Sequence, residues 1–212
     1  DFPVVSVNVS LYNETAGQAI MPTPTVGGIG LIEDLDKTTT LALKNEGDTL
    51  ILLGHENGHL ERSVWLQIVH GRDEGAPPPV DLENERAAGE LVRMLIQSAA
   101  INAAHDISDG GLLVALAEMA LAGDIGATIR IGDLEPNAEM FGEDQARYIV
   151  STPPGNTAEL IMAARKADVP TRLLGHVGGA DLTVEGHDPI SLTSLRQAHE
   201  SWLPRLMGED SA

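Results

Sequence analysis

Cysteine is absent from the 212 residues, which excludes a disulfide framework, thiolate-held zinc and cysteine nucleophiles, and fits a reducing compartment. Aromatic residues make up only 3%, so the core must be built from Ala, Val, Leu and Ile. Basic residues are scarce: 13 Lys and Arg stand against 32 Asp and Glu, a formal charge of −19. A surface of that sign repels nucleic-acid phosphates and anionic membranes, so neither is expected as a partner. It still admits a phosphorylated small molecule, which needs only a local pocket of amides, hydroxyls and metal. No apolar run is long enough to cross a bilayer and no secretory signal opens the chain, so the expected location is cytoplasmic. The acceptor patterns at Asn8 and Asn13 therefore read as chance matches.

What remains is an ordinary globular composition, 42% apolar. A chain of this length buries roughly 70% of its unfolded surface without staples. Phe2 to Val9 is β-branched and apolar, and Gly17 breaks the chain. "AIMPTPTVGGIGLIED" resumes an extended run that Pro22 and Pro24 keep out of a helix. "TLALKNEGDTLILLG" predicts two short strands around the turn at Asn45–Asp48.

Helices and strands then alternate. Helices are predicted over His59–Val69, over Leu82–Ala99 capped by Asp81, and over Gly111–Leu121 with a stop at Gly123. Leu91, Met94 and Leu95 share one face of the second. Strands are predicted at Ile101–Ala104 and in "GATIRIG", "ARYIVSTP", "TRLLGHVG" and "ADLTVEG". "TAELIMAARKAD" and "SLTSLRQAHESWLPRL" complete the helices. The fold class is α+β (mixed α/β), with a boundary near Glu33 to Lys37 separating 1–34 from 35–212.

Four stretches hold residues whose types could carry chemistry. In "AAHDISDGGLLVALAEMALAG", Ser108 or Asp109 is placed to cap a helix that begins with Gly110-Gly111. Two glycines there weaken the helix by ~1 kcal/mol each relative to Ala, so close backbone packing or an approaching phosphate must offset them. His105 and Asp106 are adjacent on a strand and should face opposite ways. "FGEDQARY" sets Glu143, Asp144, Gln145 and Arg147 before a strand, either to bind a polar ligand or to make an internal salt bridge beside a solvated loop. His55 and His59 have i,i+4 spacing, but the intervening Glu-Asn-Gly suits a turn, and no third metal ligand is evident. In the opening stretch Asn8, Ser10 and Tyr12 fall on one face of the predicted strand. An amide oxygen and two hydroxyls there suit a nucleotide-bound magnesium ion, or a set of turn-forming residues at a sheet edge.

"VSVNVSLYNET", "MPTPTVGGIGLIED", "AHDISDGGLLVALAEMALAG" and "FGEDQARYIV" together resemble phosphoribosylformylglycinamidine synthase, over essentially the whole chain. The HDISDGG-type motif alone is shared with aminoimidazole ribonucleotide synthetase and selenophosphate synthetase; the opening motif is the more specific. The resemblance is to the C-terminal portion of the synthetase subunit. It implies that 1–34 are the last strands of a second A-type domain, lined with active-site residues, and that 35–212 are the second B-type domain. It further implies a ligase converting formylglycinamide ribonucleotide, ATP and glutamine-derived ammonia to formylglycinamidine ribonucleotide, ADP and phosphate.

Position by position, the resemblance makes Asn8 a magnesium ligand, Ser10 a substrate contact and Val7 a nucleotide contact; the catalytic residues are not in this chain. Where the family reads Ser-Gly-Asn-Val-Ser, this chain has Ser6-Val7-Asn8-Val9-Ser10, and valine resists the positive φ that glycine allows. The ending in a helix and polar tail points to the short form, which works with a separate glutaminase subunit and a small subunit. The fragment alone is expected to be inactive. The alternatives are a free-standing noncatalytic domain that binds a nucleotide or partner, or another ATP-dependent synthetase of the superfamily.

Overall fold

The computed structural model describes residues 3–7, 13–20 and 24–208. The chain divides into two units, Asp1–Glu33 and Asp34–Ala212.

In the first unit, β1 (Glu14–Thr15) pairs antiparallel with β2 (Gln18–Ala19). The intervening Ala16 and Gly17 both take positive φ, 52° and 79°, the geometry that a two-residue hairpin turn requires. The longer strands expected on either side are not found among the described residues. Residues 3–7 and 24–33 have no ladder partner, and Val5, Val26, Ile29 and Leu31 are each about nine-tenths exposed. A strand exists only where its backbone donors and acceptors meet a neighbour, so β-branched composition alone does not make one here.

The second unit is built on a seven-stranded sheet. Its strands are β3 (Thr49–Leu53), β4 (Ala103–Asp106), β5 (Ala127–Ile129), β6 (Tyr148–Thr152), β7 (Thr171–Val177), β8 (Asp181–Val184) and β9 (Ile190–Ser191). The order is β4-β6-β3-β7-β5-β8-β9, antiparallel except for the parallel pair β5–β8. A bulge shifts the β3–β7 register between Leu50 and Ile51.

Strand β3 lies inside the sheet and is covered on both faces, which is why "TLILL" is apolar without alternation. Leu50 and Leu52 join the core formed by α3 (Gly111–Gly123) through Leu112, Leu116 and Met119. Ile51 and Leu53 point the other way, to Ala88, Leu91 and Leu95 of α2 (Leu82–Gln97) and Leu160 and Ala164 of α5 (Thr157–Lys166). The remaining helices are α1 (Val64–His70), α4 (Pro136–Phe141), α6 (Leu192–Glu200) and α7 (Trp202–Leu206). No helix is long and apolar enough to cross a membrane among the described residues.

Several boundaries differ from expectation for local reasons. Of the strand expected before Asn45, only Thr40 makes a bridge, to Ala103. Leu43 is instead pinned on α3: its N–H donates to the Met119 carbonyl, and a Cβ on Gly123 would lie 2.1 Å from the Leu43 oxygen. Met94 is half exposed, so the buried face of α2 is Ala88, Leu91, Val92 and Leu95. The final helix breaks at Ser201, because Pro204 has no N–H for the Glu200 carbonyl and its ring would meet that carbonyl.

Candidate functional site

The two central motifs meet at one place. Asp144, 4% exposed, accepts from three successive backbone amides, Asn57 (3.1 Å), Gly58 (2.8 Å) and His59 (3.3 Å). Its neighbour Glu143 accepts through a single oxygen, Oε1, from Val64 N and Gly110 N, each at 2.8 Å. Val64 and Gly110 stand at the starts of α1 and α3, so one carboxylate oxygen serves both. The cap of α3 is thus long-range: Gly110, at φ 83°, makes no side-chain cap, and neither Ser108 nor Asp109 fills the expected role. A Cβ on Gly111 (φ 74°) would lie 2.6 Å from the Phe141 carbonyl carbon. Close packing against that backbone accounts for a glycine here, whatever it costs the helix.

Arg147 completes the bracket. It is 2% exposed, and its guanidinium donates to the Asp144 carbonyl (3.2 Å) and the Gly142 carbonyl. Burial pushes its pKa down, opposed chiefly by the charge of Asp144 and then of Glu56. The motif is therefore an internal brace, and the loop beside it exposes Gln145 as expected.

Beside it lies a second ionic group, partly buried. Arg172 makes a bidentate pair with Glu56 (2.8 and 2.7 Å) and reaches Glu139 Oε1 at 2.8 Å. Burial opposes its charge, but the Glu56 hydrogen bond and the charges of Glu56 and Glu139 outweigh it and raise the pKa above its ordinary value. Glu139 is 2% exposed, and its Oε2 has no partner among the described residues.

His105 also differs from expectation. Its Nδ1 lies 3.2 Å from Asp106 Oδ1 and its Nε2 lies 2.9 Å from Glu118 Oε2. Asp106 is the last residue of β4, and its side chain is not held to the opposite face by a following pleat. Sequence reasoning missed Glu56, Glu118, Glu139 and Arg172. Their partners are 7 to 116 positions away (the Arg172–Glu56 pair is the most distant), and no local spacing announces them.

His59 Nε2 is 2.9 Å from the Ala76 carbonyl. No group of three or more His, Asp or Glu that could hold a metal occurs among the described residues. Of the residues assigned by resemblance, Val7 is in an irregular segment and 71% exposed. Asn8, Ser10 and Tyr12 lie outside the described residues.

Chemically, Asp144, Glu143 and Glu56 are all engaged by donors. They fix loops and helix starts. Residues 45–187, which contain this whole brace, match the family model "AIR synthase related protein, C-terminal domain". The chain belongs to that family.

The chain is 50% identical over 214 residues to the phosphoribosylformylglycinamidine synthase subunit PurL of Bradyrhizobium sp. (strain ORS 278), covering 100% of this chain and 29% of that protein. It is 51% identical over 210 residues to PurL of Azorhizobium caulinodans, covering 98% of this chain and 29% of the relative. It thus spans less than a third of the length of these relatives.

Solved structures of Thermotoga maritima PurL share the fold at 18% identity and cover 76% of this chain. The one complexed with FGAR has a TM-score of 0.64 and is covered over 30% of its length. The one complexed with ATP has a TM-score of 0.61 over 27%. The PurLQS assembly gives 0.63 over 28%. The AIR synthase-related domain of this chain is accordingly a mixed α/β fold in which the FGEDQARY motif secures the entry to the HDISDGG helix.

Proposed function

We propose that the chain is a C-terminal part of an ATP-dependent phosphoribosylformylglycinamidine synthase, a ligase of purine biosynthesis that takes glutamine-derived ammonia as nitrogen donor. One observation carries the reading: identity near 50% along the whole chain to the PurL subunits. Residues 1–34 are, in this reading, the end of the second ATP- and substrate-binding domain, and 35–212 the second B-type domain.

Formylglycinamide ribonucleotide and ATP are the substrates, as suggested by the T. maritima PurL complexes with FGAR and ATP. Separate glutaminase and small subunits are the partners, a reading supported by the PurLQS assembly of the T. maritima protein. The enzyme works in the cytoplasm.

In the proposed site, Val7 contacts the nucleotide, Asn8 offers an amide oxygen to magnesium, and Ser10 binds the substrate. The ion would draw on Asn8 and on parts of the parent enzyme. Bound magnesium would neutralise phosphate charge. The second domain contributes rigidity through Glu143 and Asp144.

The test is a chimera in which these 212 residues replace the aligned segment of Bradyrhizobium PurL, introduced into a PurL-deficient purine auxotroph. Growth without purine, and loss of that growth with Asn8→Ala, are expected. A folded chimera that neither supports growth nor turns over formylglycinamide ribonucleotide with ATP and ammonium would sink the proposal.

A further inference from the structure

Two dipeptides of this chain are prone to react with themselves, and both end on the same brace. Asn-Gly occurs once in the 212 residues, at 57–58, and Asp-Gly once, at 109–110. A glycine carries no side chain to block the path from its own nitrogen to the preceding side-chain carbonyl carbon, so at these two pairs the backbone can most readily attack a side chain. Neither glycine has room for a side chain. At Gly58 (φ 71°) a Cβ would lie 2.8 Å from the Ala138 Cβ, and at Gly110 (φ 83°) one would lie 2.5 Å from a Val114 methyl. Packing therefore imposes both reactive pairs on the fold.

In each pair the group to be attacked is free and the attacking nitrogen is held. Asn57 and Asp109 are exposed, and neither side chain has a hydrogen-bond partner among the described residues. Gly58 N donates to Asp144 Oδ2 and Gly110 N donates to Glu143 Oε1, both at 2.8 Å. Attack requires the nitrogen to give up the proton that makes this bond. The amide anion left behind would then face a like charge within about 3 Å, which disfavours it. The hydrogen bond also fixes the peptide plane and keeps the nitrogen from swinging toward the side chain.

We propose that Asn57-Gly58 and Asp109-Gly110 are latent self-modification sites, each kept closed by one carboxylate of the adjacent pair Glu143-Asp144 and each open to reaction when that carboxylate lets go. At the first, Gly58 N forms a bond to Asn57 Cγ, the amide C–N bond of the Asn57 side chain breaks, and ammonia leaves with the proton from Gly58. At the second, Gly110 N bonds to Asp109 Cγ and the carboxyl group loses water. Water then opens either carbonyl of the cyclic imide, and the isoaspartyl product carries one extra methylene in its main chain. At position 57 that methylene shifts the amides of Gly58 and His59 away from Asp144, so the brace does not re-form. A molecule that has opened once is thereby marked, and its new carboxylate is a substrate for isoaspartyl methyl transfer. The inference does not rest on the synthase reading, because both pairs belong to the second unit whatever reaction the parent performs.

The test holds the 212-residue chain at mildly alkaline pH beside two peptides of its own sequence, residues 54–60 and 106–112. Mass mapping follows Asn57, which gains about 1 Da on deamidation. Labelling of the mapped peptides by an isoaspartyl methyltransferase follows Asp109. In the folded chain both reactions are expected to run at least about tenfold slower than in the peptides. In Glu143→Ala the Asp109 site should approach the rate of its peptide while Asn57 stays protected, and in Asp144→Ala the two sites exchange roles. Circular dichroism shows that each variant is folded; should Asp144→Ala not fold, Glu143→Ala decides alone. Peptide-like rates in the folded parent would overturn the assignment. So would parental rates in the folded variants, or equal acceleration of both sites in folded Glu143→Ala, which would assign the protection to the fold at large.

Discussion

The opening 33 residues and the rest of the chain solve the same problem differently. In the second unit every residue from Leu50 to Leu53 is buried and both faces of its sheet's centre are covered. In the first, Val4, Val5, Val26, Ile29 and Leu31 are exposed and the only described ladder is a two-by-two hairpin. Apolar content is similar in kind; what differs is whether the local sequence brings its own partners. A segment rich in valine, proline and glycine therefore says little about stability until the strand beside it is known.

The sharpest way to break that contrast is to ask the chain for chemistry. Purified and given formylglycinamide ribonucleotide, ATP, magnesium and ammonium, it should show no turnover above background. One segment of ligands cannot position three reactants together. Turnover by a contaminant-free sample would mean that the opening unit is complete as it stands.

The next test strikes the second unit where its charge is buried. Asp144→Ala strips the acceptor from three amides and leaves Arg147 without its carboxylate, which should destabilise folding by about 3–5 kcal/mol. Urea unfolding followed by circular dichroism reads it, and a loss below about 1 kcal/mol would show the brace to be dispensable.

A matched pair of truncations sharpens the contrast directly. Leu52→Ala should cost about 2–5 kcal/mol because its methyl groups sit in a closed core. Ile29→Ala, at a site 94% exposed, should stay within about 0.5 kcal/mol. Comparable losses at both positions would show that the opening unit packs more firmly than its exposure indicates.

The smallest effect is expected from deleting the first 33 residues. The remainder should keep a single cooperative thermal transition, since both of its core clusters are built from residues beyond position 40 among the described residues. A broad, uncooperative melt would merge the two units into one.

Elements with local signals were legible in the sequence. Asp81 before an apolar periodic run foretold α2, and its side chain accepts from Glu83 N and Asn84 N at 3.0 Å. Gly47 at φ 84° sits in the turn that Asn45–Asp48 announced. What was illegible depended on distant partners. Ser108 and Asp109 looked like caps because their types are right for it, yet the acceptor that reaches Gly110 comes from Glu143, 33 positions on. The segment before Asn45 read as a strand because it flanks that turn, but Leu43 donates its N–H to Met119 of α3 instead of to a neighbouring strand. The candidate site was legible only as four motifs, and which of them touch was decided by topology.

Strand β3 has a consequence for how the protein is made. Its two sheet neighbours, β6 and β7, are encoded roughly 100 and 120 residues later, so at ribosomal speeds the segment TLILL leaves the tunnel roughly 5–20 s before β6 follows it. During that interval it is a short, uncharged, β-prone stretch with nothing to pair with. Ile51 and Leu53 thus stay without the cluster that buries them until Val150 and Leu160 have followed.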